Sequence, residues 1–205
     1  MVVGYGRVGH VRLRLNGNEN EMTGTRTHVT AGEREVNAIA IGRPTRAVLA
    51  AVRIAVGLMW LQNVNWKRPP DFGQAAHNGL YQYTADAVKH PVLGAFSWLV
   101  QNVIDPNFAL FGWGVLIAEF CLGAFLLAGF LTRFWAAIGI LQTVAITLSV
   151  LNTPGEWQWS YYLMFAAQFV ILATAAGRIA GVDGLLRPRW SLTPGRPARI
   201  AMVLS

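Results

Sequence analysis

Two ionisable residues lie inside segments that otherwise consist almost entirely of apolar residues. Arg53 lies in the run AVLAAVRIAVGLMWL, and Glu119 lies in the run FGWGVLIAEFCLGAFLLAGF. A charged side chain at bilayer depth costs on the order of 2.5–3.5 kcal/mol on insertion scales, so such residues face the protein interior and pair there. We therefore take Arg53 and Glu119 as the first candidates for a functional site.

The depths of the two residues allow a contact between them without requiring one. Counted from one end of the predicted helices, Arg53 and Glu119 lie about 21 and 18 Å inward, and from the other end about 10 and 21 Å. Gln142 and Gln168 fall near mid-depth on two further apolar segments. The four residues form either a network that only fixes helix register or a site for a ligand or proton, such as a quinone head group. A protonated, tolerated Glu119 is the third interpretation.

Composition assigns the chain to the membrane proteins. Of its 205 residues, 54% are hydrophobic and only 13% are charged, whereas an ordinary soluble domain has about 25% charged residues. The net charge of +7 does not indicate nucleic-acid binding, because no groove-reading or base-stacking motif accompanies it. The arginines cluster near the ends of the chain, as the positive-inside pattern predicts.

Four apolar segments are predicted to span the bilayer as α-helices. They cover residues 45–64, 109–131, 134–151 and 160–176. Because the second and third connections are short, we expect an all-α, antiparallel four-helix bundle. The long first connection contains a predicted amphipathic helix over 91–104, ended by Asp105-Pro106. At about 21 Å it is too short to cross a core of about 30 Å, so we expect it to lie on the membrane surface or to cap the bundle.

The chain is predicted to consist of a membrane domain between two tails. The three parts are a flexible cytosolic tail at 1–42, the membrane domain at 43–178, and a basic cytosolic tail at 179–205. Arginine is concentrated in both tails and in the Thr132-Arg133 turn, which predicts cytosolic termini.

Polar and aromatic residues at the predicted outer surface are secondary candidates. Trp157 is an interface anchor or the wall of a ligand entrance. Lys67 and Arg68 are solvated anchors or a positive rim that attracts a small anion, such as an oxidised sulfur species. Cys121 is interpreted as a packed small hydrophobe.

Several short motifs resemble, in order and spacing, those of the DoxX/DoxD family of membrane proteins. They are RIAVG at 53–57 with Trp66-Lys67, EFCLG at 119–123 with GFLTR at 129–133, PGEWQWSYY at 154–162, and GRIAGVDGLL at 177–186. The resemblance covers about residues 45–190 and leaves out the N-terminal tail.

The resemblance implies a four-span bundle in the bacterial plasma membrane. It further implies, through the DoxD branch, a subunit of thiosulfate:quinone oxidoreductase, which oxidises thiosulfate to tetrathionate and reduces membrane quinone. The resulting site hypothesis has three parts. Glu119 and Arg53 are catalytic, Gln142, Gln168 and Trp157 bind the quinone, and Lys67 and Arg68 bind the substrate.

The sequence contains no evident haem, flavin, iron–sulfur, nucleotide or metal motif. Electrons would therefore pass through a partner subunit or by direct two-electron transfer. Expected partners are the bilayer, quinone, and a second redox subunit or further copies of the chain, with no nucleic acid. Whether the chain is an enzyme stays open, because a non-catalytic membrane anchor or assembly protein for redox-stress enzymes is the alternative.

Overall fold

The computed structural model describes residues 42–193 and 195–205, so the predicted N-terminal tail lies outside the described residues. The described residues form eight α-helices joined by turns and loops, and no strand occurs among them. The helices are α1 Arg43–Val64, α2 Gly79–Lys89, α3 Gly94–Leu99, α4 Phe108–Ala128, α5 Thr132–Val150, α6 Trp159–Thr174, α7 Val182–Leu192 and α8 Arg196–Leu204. The all-α prediction is thus confirmed for this part of the chain.

Three of the helical segments are long and apolar enough to cross a membrane. They are Arg43–Val64, the continuous 35-residue run Gly94–Ala128, and Thr132–Val150. The fourth predicted span corresponds to α6, which is apolar but has only 16 residues. The apolar segments predicted from the sequence therefore begin and end within a few residues of observed helices, except where α3 extends the second one.

The predicted end of the amphipathic helix at Asp105-Pro106 is wrong. From α3 the chain continues through a π-helical turn, Val100–Ile104, and a 3-10 turn, Asp105–Asn107, directly into α4. Pro106 occupies an early position of the 3-10 turn, where its missing N–H removes no necessary hydrogen bond. The segment is thus the first part of a long helix rather than a separate surface helix.

Three helices lie in regions for which no helix was predicted. Helix α2 is part of the long first connection, and its buried residues Leu80, Thr84 and Ala87 recur at helical spacing and face the rest of the protein. Helices α7 and α8 occupy the basic C-terminal segment.

Helices α1 and α4 cross at closely packed glycines. A Cβ atom added to Gly57 would lie 2.8 Å from the backbone nitrogen of Leu127, and one added to Gly123 would lie 2.7 Å from Leu61 Cγ. Small residues allow such approach between membrane helices. Gly57 and Gly123 therefore allow the two helices to approach, whereas Gly114 has open space around it.

Helix α1 runs antiparallel to α4, because Arg53 in the first half of α1 contacts the last residues of α4, and the molecule therefore has two distinct ends. We call the end where α1 and α5 begin and α4 and α6 finish the basic end, because it carries Arg133 and Arg178. The opposite end is called the cavity end. A core of buried apolar side chains from α1, α4, α5 and α6 separates the two, including Trp60, Leu122, Leu126, Ala136 and Ile171.

Candidate functional site

A cavity of about 750 Å³ lies at the cavity end between α1, α2, α4, α5 and α6. Apolar and aromatic side chains form most of its wall. The polar, charged and aromatic groups that line it include Trp60, Asn63, Trp66, Lys67, Tyr83, Glu119, Gln142, Glu156, Trp157, Tyr161 and Gln168. A largely apolar cavity with a few convergent polar groups is the usual form of a small-molecule site.

The carboxylate of Glu119 is the centre of the polar groups. The residue is 1% exposed, and its Oε2 lies 2.5 Å from Lys67 Nζ. The other oxygen, Oε1, accepts a hydrogen bond from Asn63 Nδ2 at 3.2 Å and faces Gln142 Nε2 at 3.5 Å. Three donors from two helices and one turn thus converge on a single buried carboxylate.

Lys67 reaches this carboxylate because the chain turns back at the end of α1. Its ammonium donates to the carbonyl of Asn63 at 3.0 Å and lies 4.0 Å from the centre of the Trp66 ring. Trp66 in turn donates through Nε1 to Asn63 Oδ1 at 2.9 Å and stacks on Tyr83. Burial lowers the pKa of Lys67, and the carboxylate of Glu119 opposes this effect. The turn therefore places a desolvated cation beside the buried anion.

Gln168 supplies a second polar group deep in the cavity wall. The residue is 1% exposed, and its Oε1 has no hydrogen-bond partner among residues 42–193 and 195–205. A Cβ atom at Gly139 would collide with the amide of Gln168, so the glycine on α5 makes room for this side chain. Buried polar atoms without partners are rare in folded proteins, which makes this oxygen a candidate ligand contact.

Aromatic and acidic residues form the outer part of the cavity. Trp157 is 65% exposed, and Glu156 and Tyr161 lie beside it on the wall. Burial raises the pKa of Tyr83, and the carboxylates of Glu156, Asp86 and Glu119 raise it further. Tyr83 was not predicted as a site residue because its helix, α2, was not predicted. The signal that could have identified α2 is the helical spacing of Leu80, Thr84 and Ala87.

Arg53 does not contact Glu119. Its Nη1 donates to the carbonyls of Leu126 and Leu127 at 2.6 and 2.9 Å, and its Nη2 donates to the carbonyl of Ala180 at 3.1 Å. The last carbonyls of a helix have no partner inside the helix and carry negative partial charge, so they attract a cation. The contact with Glu119 that the predicted depths allowed is therefore absent, and Arg53 instead caps the C-terminal turn of α4, two turns from Glu119.

The seven predicted site residues divide into two groups. Five of them line the cavity: Lys67, Glu119, Gln142, Trp157 and Gln168. Arg53 and Arg68 are not among its lining residues, and Arg68 is exposed to solvent. Within the described part of the chain, no group of three or more His, Cys, Asp or Glu residues could hold a metal ion.

Comparison with models of known protein families identifies the family of this chain. A family model described as the TQO small subunit DoxD matches residues 48–196. The chain belongs to the DoxD family. The resemblance inferred from the short motifs is thus confirmed, and no curated protein and no solved structure matches the chain.

The DoxD match covers the cavity and the basic end together. It includes every residue that lines the cavity, as well as Arg53 and its carbonyl partners. Together with the apolar helices, membership of this family identifies the chain as a membrane protein. The DoxD region ends just as α8 begins.

Proposed function

We propose that this DoxD protein is the membrane subunit of a thiosulfate:quinone oxidoreductase-type complex, and that its cavity binds the quinone head group. The protein would lie in the bacterial plasma membrane with both termini cytosolic. The observation that carries the proposal is the large, mostly apolar cavity built around the Glu119–Lys67 pair. A quinone offers a flat apolar ring and two carbonyl acceptors, which match such a wall and such donors.

The charges along the cavity favour a neutral ligand over the sulfur anion. Lys67 contributes one positive charge, whereas Glu119 and Glu156 contribute two negative charges. The Nζ atom of Lys67 is also already paired with Oε2 of Glu119, at 2.5 Å. Because like charges repel strongly in a desolvated site, a thiosulfate dianion would be held elsewhere, on the aqueous surface or on a partner. Quinone binding by this chain and thiosulfate binding outside the cavity agree with a small subunit that acts with a larger partner.

The reaction of the complex balances without a further oxidant. Two thiosulfate ions form one sulfur–sulfur bond, give tetrathionate and release two electrons. The quinone takes up these two electrons and two protons and becomes the quinol. Negative charge develops on the quinone oxygens during reduction, and a preorganised donor beside them lowers the barrier.

Lys67 and Glu119 are the residues that would hold or move a proton at these oxygens. The ammonium of Lys67 supplies positive charge and a proton donor, and the carboxylate of Glu119 fixes its position. The unpaired amide oxygen of Gln168 would accept a hydrogen bond from the hydroxyl of the quinol. Arg53 and Arg68 have no part in this step, since neither lines the cavity.

Quinone binding can be tested with the purified full chain in lipid nanodiscs. A short-chain ubiquinone analogue should quench tryptophan fluorescence, because Trp60, Trp66 and Trp157 line the cavity. Glu119→Gln should weaken binding about tenfold or more, because Lys67 then loses the carboxylate that holds it in place for a charge-assisted contact with the quinone. The matched control is Asp71→Asn, which removes an exposed carboxylate outside the cavity and should leave the affinity unchanged. Unchanged binding in a folded Glu119→Gln protein would exclude the cavity as the quinone site.

The redox part of the proposal needs the complex. The complex should be isolated from native membranes through a tag on this chain and assayed for thiosulfate-dependent reduction of the same quinone. We expect activity that Glu119→Gln lowers and Asp71→Asn does not. A complex that binds quinone but shows no such reduction would favour the non-catalytic anchor instead.

A further inference from the structure

Helix α7 is fixed beside the turn that joins two of the apolar helices. The backbone nitrogens of Leu131 and Thr132 donate to the carboxylate of Asp183 at 2.8 and 2.9 Å, and the nitrogen of Asp183 donates to the carbonyl of Gly129 at 2.8 Å. Asp183 lies in the first turn of α7. The start of α7 therefore lies beside the turn between the end of α4 and the start of α5, at the basic end.

Helix α8 is held against α7 by side-chain contacts. Arg187 Nη1 donates to the carbonyl of Met202 at 2.8 Å and to Ser205 Oγ at 3.0 Å. Ala198 is buried in the same contact region, and α8 also packs against α5. The two helices thus form a hairpin anchored at the basic end.

Both helices of this hairpin expose large apolar side chains. Leu185 is 75% exposed and Leu192 is 85% exposed, and they lie seven residues apart on one side of α7. On α8, Ile200 is 58% exposed and Val203 is 66% exposed, three residues apart. We call the surface made by these four side chains the Leu185 face.

Positive charge accompanies the Leu185 face. Arg189 follows Leu185 at a spacing of four residues, and Arg196 and Arg199 precede Ile200 and Val203 at the same spacing, so all three lie on the exposed side. The only acidic residue of segment 182–205 is Asp183, which is buried and already bonded. The face therefore combines apolar side chains with uncompensated arginines.

We propose that the Leu185 face lies in the headgroup layer of the bilayer and binds anionic phospholipid. Apolar side chains interleaved with arginine are typical of helices that lie in the membrane interface. Arginine places its stem along apolar surface and its guanidinium at the phosphates, and anionic headgroups supply the complementary charge. The hairpin begins at the end of the apolar helices, which places it at this level. The inference does not depend on quinone binding.

The position of the face can be measured with a single reporter. In a Cys121→Ser background of the full chain, Leu192→Cys is labelled with an environment-sensitive fluorophore and the protein is placed in phosphatidylcholine–phosphatidylglycerol vesicles. Lipids with a spin label near the headgroup should quench this reporter. Ser191→Cys is the matched control, because it is exposed on the same helix but points about 100° away. We expect at least twofold stronger quenching at 192, and equal quenching at both positions would overturn the proposal.

The charge component has its own test. The preference of the protein for fluorescent phosphatidylglycerol over phosphatidylcholine should fall about fivefold for each arginine changed in Arg189→Gln, Arg196→Gln and Arg199→Gln. Arg68→Gln, an exposed arginine of the cavity end, should have at most a small effect. An unchanged preference in the triple variant, or a Leu192 reporter that is shielded by another protein and not quenched by lipid, would overturn the assignment.

Discussion

The Lys67–Glu119 ion pair places two opposite charges where water hardly reaches them. The side chains are 2% and 1% exposed, and their charged atoms are 2.5 Å apart. Desolvation of a charge is costly, and only a close partner offsets it. Each charge can therefore be buried because the other is present, and removing either one makes the remaining charge destabilise the folded protein.

This dependence predicts a large loss of stability when one partner is removed. Lys67→Met should lower the free energy of unfolding by about 3–5 kcal/mol, because it leaves the carboxylate of Glu119 buried and unpaired. Denaturant unfolding of the protein in detergent micelles measures the change. The double variant Lys67→Met with Glu119→Gln should recover a large part of the loss, since no net charge then remains in the pair.

Arg68→Met is the control for this prediction. It removes the neighbouring cation, which is exposed to solvent, and should change stability by less than about 0.5 kcal/mol. If Lys67→Met were as mild as Arg68→Met, the pair would not stabilise the folded protein.

The sequence predicted which residues are buried polar groups better than it predicted their partners. Glu119, Gln142 and Gln168, the interior polar residues named from the sequence, all line the cavity. Depth counting gives the position along a helix axis but not the direction around it, so it could not exclude contact between Arg53 and Glu119. Lys67 was interpreted as a solvated anchor or as part of a positive rim, because it follows the end of a span. It is instead buried, and its ammonium donates to the carbonyl of Asn63, four residues earlier.

At the scale of elements, the backbones of α1 and α4 approach each other closely. A Cβ atom at Gly123 would lie 2.7 Å from Leu61 Cγ and 2.9 Å from the carbonyl oxygen of Gly57. The second neighbour is backbone and cannot rotate away. The two helices must therefore separate before any larger residue fits at this position.

Gly123→Ala should accordingly destabilise the protein by about 1–3 kcal/mol, as overpacked sites do. Gly114→Ala is the matched control on the same helix, because a Cβ atom there meets nothing within 4 Å. It should be neutral or should stabilise the helix by up to about 1 kcal/mol. Thermal unfolding in the same detergent compares the two, and equal effects would show that the α1–α4 contact can relax without cost.

The elements themselves were predictable where long apolar stretches define them. Helices α1, α4, α5 and α6 coincide with the four apolar segments because burial in lipid requires such stretches. The continuity of α3 with α4 was missed because Pro106 was interpreted as a helix end, whereas a π turn and a 3-10 turn carry the chain through it. Helix α2 was missed because it is short and lies in a connection, where tertiary packing rather than length fixes the structure.

At the scale of the whole molecule, Arg53 and Glu119 lie toward opposite ends of the apolar helices. Arg53 joins α1 to the last turn of α4 and to Ala180 at the basic end. Glu119 lies about 10 Å further along α4, two turns away, and belongs to the cavity. The buried apolar core lies between the two ends. Of the two charged residues that stand out in the sequence, Arg53 thus caps a helix and Glu119 lines the cavity.

This separation predicts that the effects of the two residues are independent. Arg53→Met should lower the free energy of unfolding by at least about 1–3 kcal/mol, because the carbonyls of Leu126, Leu127 and Ala180 lose their donor. The affinity of the folded variant for the short-chain ubiquinone analogue should stay within about twofold of wild type. Glu119→Gln should lower the quinone affinity clearly, and it should also lower the free energy of unfolding because Lys67 is left buried without its carboxylate. The effects of mutations at sites more than about 7–10 Å apart without shared partners are usually additive. The double variant should therefore lose the sum of the two unfolding free energies within about 0.5 kcal/mol.

A coupling energy above about 1 kcal/mol, or a tenfold loss of affinity in Arg53→Met, would mean that the basic end and the cavity act as one unit.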